Sequence, residues 1–595
     1  MQLNLSPSKR YGISLKIFIV FIGFIVQFSV LLFLMRLCFS GIEFTDEGKY
    51  LNDSRSPGAF RDQVTHYGFV YHLIFKVIDF NVPVFRIINV LTTFFLAYLV
   101  SFQSLRKLSN LSKINHISVS ISMGLFSLCF LSIKWLPTPS YNSLTLQSLL
   151  VFWMSFEYYR KTRNQKSQKL ARLCLAATSI LILLARPPSF LILTLILFSY
   201  LFFSVNSTYQ FLLEIIKHSL LLALGIFMVS FLIYGYPLEL LSGLLQGLQN
   251  SKLLAGDSYN AGRVLENLKF NFIEFFSVFF SLVVVIIQRL VLSFGKSNLT
   301  KRIKNFSGAF YFMSIIFIGS YFVMSTFSSL YLVLIPLSLA YMWVCLHQNS
   351  EISFGTTNYT YLLLMFPIVG AVGSTNNLIS QSTYFFFFII LFYFMVIVQR
   401  IKNTRNYFLL HSLSFGLIFL LAGALYNSVN YPYRQHSSLL LNSYQMSNAP
   451  ALRNLKVNFE NALQYKVMMR EVRKSGFQEG DGVIDLTGQS PLILFLIGAK
   501  PIGESWLIGG YKGSNELAIK KLNQENCRIK NQSFLLIEEG GLRSLNVSYI
   551  LSETELNKNE YVSVATWHTP LGAGGNLMNR ELSLLKPSFR VDLCR

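Results

Sequence analysis

Charge is what this chain has least of. Asp, Glu, Lys and Arg make up only 13% of its 595 residues, while 52% are hydrophobic and 15% aromatic. Soluble proteins carry about 25% charged residues. Mean hydropathy is +0.47, and many apolar runs reach the roughly 20 residues that cross a bilayer. These features exclude an ordinary soluble domain and imply a polytopic membrane protein. Negative charge is scarcer still, 28 Asp and Glu against 51 Lys and Arg, for a net charge of +23. That excess does not indicate a nucleic-acid partner, because the cations gather in short loops. Lys9, Arg10 and Lys16 precede the first apolar run, and similar groups surround Arg106, Arg160–Arg172, Arg289–Lys304 and Arg400–Arg405. Loops of one side collect nearly all of them, the positive-inside pattern that marks the cytoplasmic face.

Other absences narrow the field. The six cysteines form no CxxC pair and no zinc spacing, and there is no HExxH. No internal repeat is evident, which disfavours a transporter built from repeats. The apolar stretch near the N-terminus is too long for a signal-peptide core and lacks a small-x-small cleavage site, so it is read as an uncleaved span.

Hydropathy predicts about thirteen spans: 17–39, 83–104, 115–134, 143–159, 171–185, 189–205, 218–235, 271–290, 306–324, 328–346, 358–374, 382–399 and 407–427. An odd number places the N-terminus in the cytoplasm and the C-terminal part outside. After about Asn427 charges of both signs return and no run is long enough to span. The expected fold is therefore an α-helical polytopic membrane domain over 1–427 and an external α/β domain over 428–595. In the latter, Gly482–Leu486, Ser533–Glu538 and Tyr561–Thr566 read as strands, and Pro491 opens a short apolar helix to Ile497. Cys527 and Cys594 are as apt to pair there as not. The Gly-rich Leu571–Gly575 lacks the strand-to-helix context of a dinucleotide site.

The outer loop 41–81 concentrates the scarce acids: Glu43, Asp46, Glu47, Asp53 and Asp62 stand among Lys49, Arg55, Arg61, His66 and His72. Carboxylates at a membrane edge are costly and so are functional candidates. A carboxylate can take a proton from an attacking hydroxyl, and Lys or Arg can neutralise a phosphate. The plainer alternative is a solvated loop with loosely paired charges.

The order of a single span, an outer loop with Asp46-Glu47-Gly48-Lys49-Tyr50, and the stretch His66-Tyr-Gly-Phe-Val-Tyr71 resembles the GT-C superfamily of polytopic glycosyltransferases. Its members include protein O-mannosyltransferases and aminoarabinose transferases. Lys49 stands where that family often has arginine, and the prolines of its His/Lys-Pro-Pro segment are missing. Arg86 at the second span and the turn Ala185-Arg186-Pro187-Pro188 fit its layout. The resemblance implies an inverting transfer of a sugar from a polyprenyl-phosphate donor to a glycan, lipid or protein acceptor on the outer face of a bacterial inner membrane. Asp46 would be the general base and Glu47 its supporting carboxylate. Lys49, Arg86 and Arg186 would meet the donor phosphate, and Tyr50, His66, Tyr141 and Asn142 the substrates. For Arg86 and Arg186 a snorkelling interface role is the plainer alternative; for Tyr141 and Asn142 it is a turn with an interfacial tyrosine. Some members use a divalent ion, and Mg or Mn on Asp46, Glu47 and His66 is the corresponding expectation. An O-antigen ligase or polymerase, or a flippase of lipid-linked saccharides, are the other functions weighed.

Overall fold

In a bilayer the backbone must satisfy its own hydrogen bonds, so long apolar runs become helices. A computed structural model shows this organisation and describes residues 7–106, 113–132, 134–162, 164–204, 207–255, 362–373, 381–400, 407–446 and 450–588. Helix α1 is Pro7–Leu37, followed by α2 (Asp46–Arg55), α3 (Tyr67–Val77), α4 (Val82–Arg106), α5 (Lys113–Ser127), α6 (Tyr141–Lys161), α7 (Gln165–Ala185), α8 (Pro187–Ser204), α9 (Thr208–Tyr234) and α10 (Glu239–Ala255). Then come α11 (Leu362–Ala371), α12 (Phe387–Arg400) and α13 (Tyr407–Asn430). The expected spans 271–290, 306–324 and 328–346 lie outside the described residues, as do 358–361 and 374 of the span expected over 358–374.

Among the described residues, four helical stretches are long and apolar enough to cross a membrane: Val82–Arg106, Lys113–Leu131, Gln165–Ala185 and Thr208–Tyr234. Helix α6 is not among them, although 143–159 was expected to span. Its apolar content is diluted by Ser143, Thr145, Gln147, Ser148, Ser155 and Glu157, all buried. These side chains face neighbouring helices rather than lipid: Gln147 donates to Asn89 Oδ1 at 2.8 Å and to Thr93 Oγ1 at 3.0 Å on α4. A helix buried on all sides by protein has no need of a lipid-facing apolar surface, so hydropathy underrates it.

The stretch 41–81 is not an open loop. It folds as α2 and α3, with a short turn at Pro57–Ala59 between them. The C-terminal part supplies the second wall. Its strands are β1 (Tyr444–Gln445), β2 (Lys456–Val457), β3 (Gly482–Asp485), β4 (Lys500–Pro501), β5 (Phe534–Ile537), β6 (Tyr561–His568) and β7 (Glu581–Pro587). The last five form a mixed sheet in the order β4-β3-β5-β7-β6, parallel over β4-β3-β5 and antiparallel beyond. Helices α14 (Phe459–Lys474), α15 (Pro491–Ile497), α16 (Ser514–Asn523), α17 (Cys527–Gln532) and α18 (Val547–Glu553) accompany it. Cys527 is disulfide-bonded, while Cys38, Cys129 and Cys174 are free; Cys594, its expected partner, lies outside the described residues.

Helix α2 is wedged between the two parts. One apolar core joins Ile42, Phe44, Tyr50 and Leu51 to Phe75 and Phe85 of the membrane side and to Leu492, Phe495 and Leu584 of the sheet side. Asn52 donates to Pro491 O at 2.8 Å, and Leu492 N to Phe44 O at 3.2 Å. The approach is so close that a Cβ on Gly48 would lie 2.3 Å from Leu492 N and 2.9 Å from the Pro491 carbonyl carbon. Backbone on backbone cannot yield as a side chain does. Gly48→Ala is therefore expected to destabilise the protein by about 1–3 kcal/mol, the usual cost of overpacking, seen as a lower unfolding temperature in detergent.

Candidate active site

Four backbone N–H groups at a helix start lack intrahelical partners, and α2 resolves this with carboxylates. The N-cap, Thr45, makes no side-chain cap. Glu43 replaces it: its Oε1 accepts from Thr45 N (2.9 Å) and Thr45 Oγ1 (2.6 Å), and its Oε2 from Glu47 N (2.9 Å). Glu47 Oε2 returns the bond by accepting from Glu43 N at 2.9 Å. The exchange resembles a capping box. Burial, joined by the negative charge of Asp46, pushes Glu43 up to about 7.

The other oxygen of Glu47 is equally committed. Its Oε1 lies 2.7 Å from Arg86 Nη2 and 2.9 Å from Arg86 Nε, and it accepts a bond from the Thr138 hydroxyl. Arg86 is 1% exposed and spends its remaining donors on Cys38 O and Gly41 O, both at 3.0 Å. The expectation that Arg86 meets a donor phosphate has no geometric support: every nitrogen of its fork faces the protein. Arg86 instead ties the end of α1, the start of α2 and the segment that carries Thr138 into one unit.

Asp46 is thereby left as the open carboxylate of the three. Its side chain is 28% exposed and pairs with Arg434 at 3.2 Å. Arg434 also donates to Thr45 Oγ1 and lies 4.7 Å from the centre of the Tyr433 ring. Lys134 lies on the same ring at 4.6 Å. Burial and the Asp46 carboxylate, to which Tyr433 is hydrogen-bonded, raise the Tyr433 phenol above its usual range.

One turn along α2, Tyr50 shares the face of Asp46. Its ring meets Tyr67 and Tyr141 edge-on, with centroids 6.0 Å away in each case. Burial first, then Tyr141 and Asp46, raise the Tyr50 phenol. Arg186, 3% exposed, packs over Tyr141 at 5.0 Å. It donates to Ala371 O at 3.1 Å and to Asn142 Oδ1, which Gln381 also reaches at 3.0 Å. Among the described residues its buried Nε has no hydrogen-bond partner. Tyr384 lies within electrostatic reach of both Asp46 and Arg186, so the two charged groups share one wall of tyrosines, Tyr50, Tyr141 and Tyr384.

The remaining expected residues sit apart. Lys49 is held by Asp53 at 2.7 Å and by Ser505 at 3.3 Å, and Asp53 accepts in turn from Tyr67 OH at 2.7 Å and from Ser505 Oγ at 2.5 Å. Lys49 is thus an anchor between α2 and the sheet side. His66 is buried and bonds through Nε2 to Arg61 O (2.9 Å) and Tyr234 OH (2.8 Å); burial lowers its pKa. With Glu47 closed by Arg86 and His66 engaged elsewhere, Asp46, Glu47 and His66 do not fit a shared metal. Among the described residues no group of three or more His, Cys, Asp or Glu could hold one.

Sequence reasoning missed Arg434, Tyr433, Gln381 and Tyr384; Thr138 lies in the Thr138–Asn142 stretch read as a polar wall opposite the acidic loop, and it does meet Glu47. Arg434 had one available signal: the polar Tyr431-Pro-Tyr-Arg434 is separated by three residues from the last expected span.

No family model and no curated protein matches the chain. Among solved structures it is similar to ArnT from Cupriavidus metallidurans bound to undecaprenyl phosphate, at 12% identity over 96% of this chain and 98% of that one, with a TM-score of 0.42. Similarity to the apo state of ArnT from the same organism is 10% over 97% and 99%, with a TM-score of 0.39. Scores this low leave the functional reading to rest on the site itself.

Proposed function

We propose that the chain is an inverting glycosyltransferase, moving a sugar from a polyprenyl-phosphate donor to an acceptor on the outer face of a bacterial inner membrane. The observation that carries this reading is the division of labour among three clustered carboxylates. Glu43 and Glu47 are consumed in building the helix start, which fixes Asp46 half-open before a tyrosine wall that it shares with Arg186.

In this reading the acceptor hydroxyl approaches Asp46. Asp46 takes its proton as the hydroxyl oxygen forms a bond to the anomeric carbon. The bond from that carbon to the donor phosphate oxygen breaks on the opposite side, and its electron pair leaves with the polyprenyl phosphate. A single displacement of this kind inverts the anomeric centre. The leaving phosphate gains one negative charge, and a buried guanidinium is suited to receive it. Arg186 fills that role through its Nε, which has no hydrogen-bond partner among the described residues. Tyr50 and Tyr141 line the sugar's position, and Asn142 orients Arg186. Glu47 and Arg86 act on Asp46 by positioning α2, and Lys49 holds α2 from its far side. In this topology the N-terminus is cytoplasmic and residues 428–595 are external.

Purified protein in detergent, offered labelled polyprenyl-phosphate sugars and the corresponding nucleotide sugars, tests the proposal. Transfer from the lipid-linked donors with inverted anomeric configuration, read by NMR, is the expected result. Use of nucleotide sugars alone, or retention of configuration, would sink it. Arg186→Gln is expected to lower kcat/KM for the donor about 10²-fold, the scale on which one donor to a developing negative charge acts. Steady-state rates against donor concentration provide the check.

A further inference from the structure

The far end of α2 borders a second cleft, of about 860 Å³, which the transfer site does not use. Asp46 and Arg55 stand at opposite ends of this ten-residue helix, roughly 14 Å apart at about 1.5 Å per residue. Arg55, Lys466, Arg470 and Arg473 line the cleft against Asp79 and Glu479. Arg55 and Glu479 neutralise each other at 2.6 Å. Lys466 and Arg473 have no carboxylate partner among the described residues; Arg473 donates only to the Phe477 and Ile497 carbonyls. Arg470 meets Glu471 in an exposed pair, of a kind that contributes little. The balance of the cleft is therefore positive, with Asp79 the carboxylate left over. Lys466, Arg470 and Arg473 recur at helical spacing along α14, so one face presents them together.

Two further observations say what covers this charge. The wall carrying Asp79 and Phe80 runs directly into α4, which opens one of the membrane-length helices at Val82. Beside it, α3 exposes Leu73 and Val77, 69% and 79% accessible. The cleft mouth thus lies at the level where the chain enters the bilayer. It is also continuous with an apolar groove of about 220 Å³ through Leu463, Lys466, Met469 and Leu496. Exposed aromatic side chains, Tyr444 and Phe459, flank that groove. Cations adjoining an apolar groove, at a membrane edge, match an anionic lipid.

We propose that this cleft binds the phosphate of an anionic bilayer phospholipid, with its glycerol and upper acyl carbons against the apolar groove. The phosphate sits among Lys466, Arg470 and Arg473, and Asp79 disfavours a second negative charge.

The test uses the full chain in neutral maltoside micelles, titrated with dioctanoyl phosphatidylglycerol, its phosphatidylcholine counterpart and glycerol 3-phosphate, with native mass spectrometry as the readout. Phosphatidylglycerol is expected to bind about tenfold or more tightly than phosphatidylcholine, and glycerol 3-phosphate more weakly than either. Lys466→Gln/Arg470→Gln, at two exposed positions, removes the preference without moving the unfolding temperature. Asp79→Asn strengthens phosphatidylglycerol binding, and Asp46→Asn leaves it unchanged whatever its effect on transfer. Equal binding of the two lipids, an unaltered preference in the double variant, or glycerol 3-phosphate binding as tightly as phosphatidylglycerol would each overturn the proposal, the last by pointing to a soluble anion.

Discussion

Asp46→Asn is expected to lower kcat for sugar transfer by about 10²–10⁴-fold, the range over which a positioned proton acceptor acts, while leaving KM for the donor nearly unchanged. The substitution keeps the shape and the acceptor oxygen but removes the basic site. Asp46 is partly exposed and its salt bridge runs to Arg434, which is itself half-buried, so the fold should survive the change. Asp46→Asn and wild type are therefore expected to unfold at the same temperature within a few degrees, since a pair open to solvent on one side is worth about 1 kcal/mol. A variant that folds normally, binds donor and transfers at wild-type speed would remove Asp46 from the chemistry. Glu43 and Glu47 provide the contrast: both are fully buried, and their substitutions should act on folding before they act on rate.

The largest effect on stability is expected at Arg86. Replacing it with Met removes one half of a buried ion pair, strands Glu47 without its main partner and leaves two backbone carbonyls, Cys38 O and Gly41 O, unsatisfied. Losing one member of such a pair costs about 3–5 kcal/mol. Arg86→Lys should recover only part of this, because an ammonium cannot repeat the planar fork that reaches Glu47, Cys38 and Gly41 at once. The double variant Glu47→Gln/Arg86→Met should be less destabilised than Arg86→Met alone, because no unpaired charge remains. Thermal unfolding of the four proteins in one detergent decides the matter. Equal stability of Arg86→Met and wild type would show that the fork is dispensable.

Several apolar helices were legible because their signal is local. Helix α4 begins at Val82, next to the expected 83, and Ala185-Arg186-Pro187 does interrupt two helices. Helix α6 lies where the segment 143–159 was expected, but it is not among the helices apolar enough to cross a membrane, because its polar residues answer to partners on α4 that hydropathy does not see. The sheet-side elements over Gly482–Ile497 were legible from a β-rich run followed by Pro at a helix start. The loop 41–81 was legible in chemistry but not in form: its charges suppressed any apolar period, and α2 is held by contacts with Pro491 and Leu492 rather than by its own pattern. Arg86 shows the same limit in a side chain. Its position at the second span was plain, but its direction depends on Glu47, 39 residues earlier, and on backbone carbonyls that no residue type encodes. Arg434 stands 388 residues from Asp46, beyond any periodicity argument.

The seat of Asp46 is assembled from both ends of the chain. Arg580 lies over the Phe44 ring at 5.7 Å, Ser505 closes on Asp53 at 2.5 Å, and Lys521 bridges Asp62 and Glu504 at 2.6 and 2.5 Å. The acidic segment leaves the ribosome well before its counterparts: Ser505 follows Asp53 by 452 residues. At the roughly 5–20 residues per second of synthesis, α2 waits something like half a minute to two minutes at the membrane before its other wall exists. During that interval Gly48 has nothing to pack against, and three nearby carboxylates lack the enclosure that holds them in place. On the proposed reading, the newborn chain therefore gains its site only once the sheet side has formed against α2.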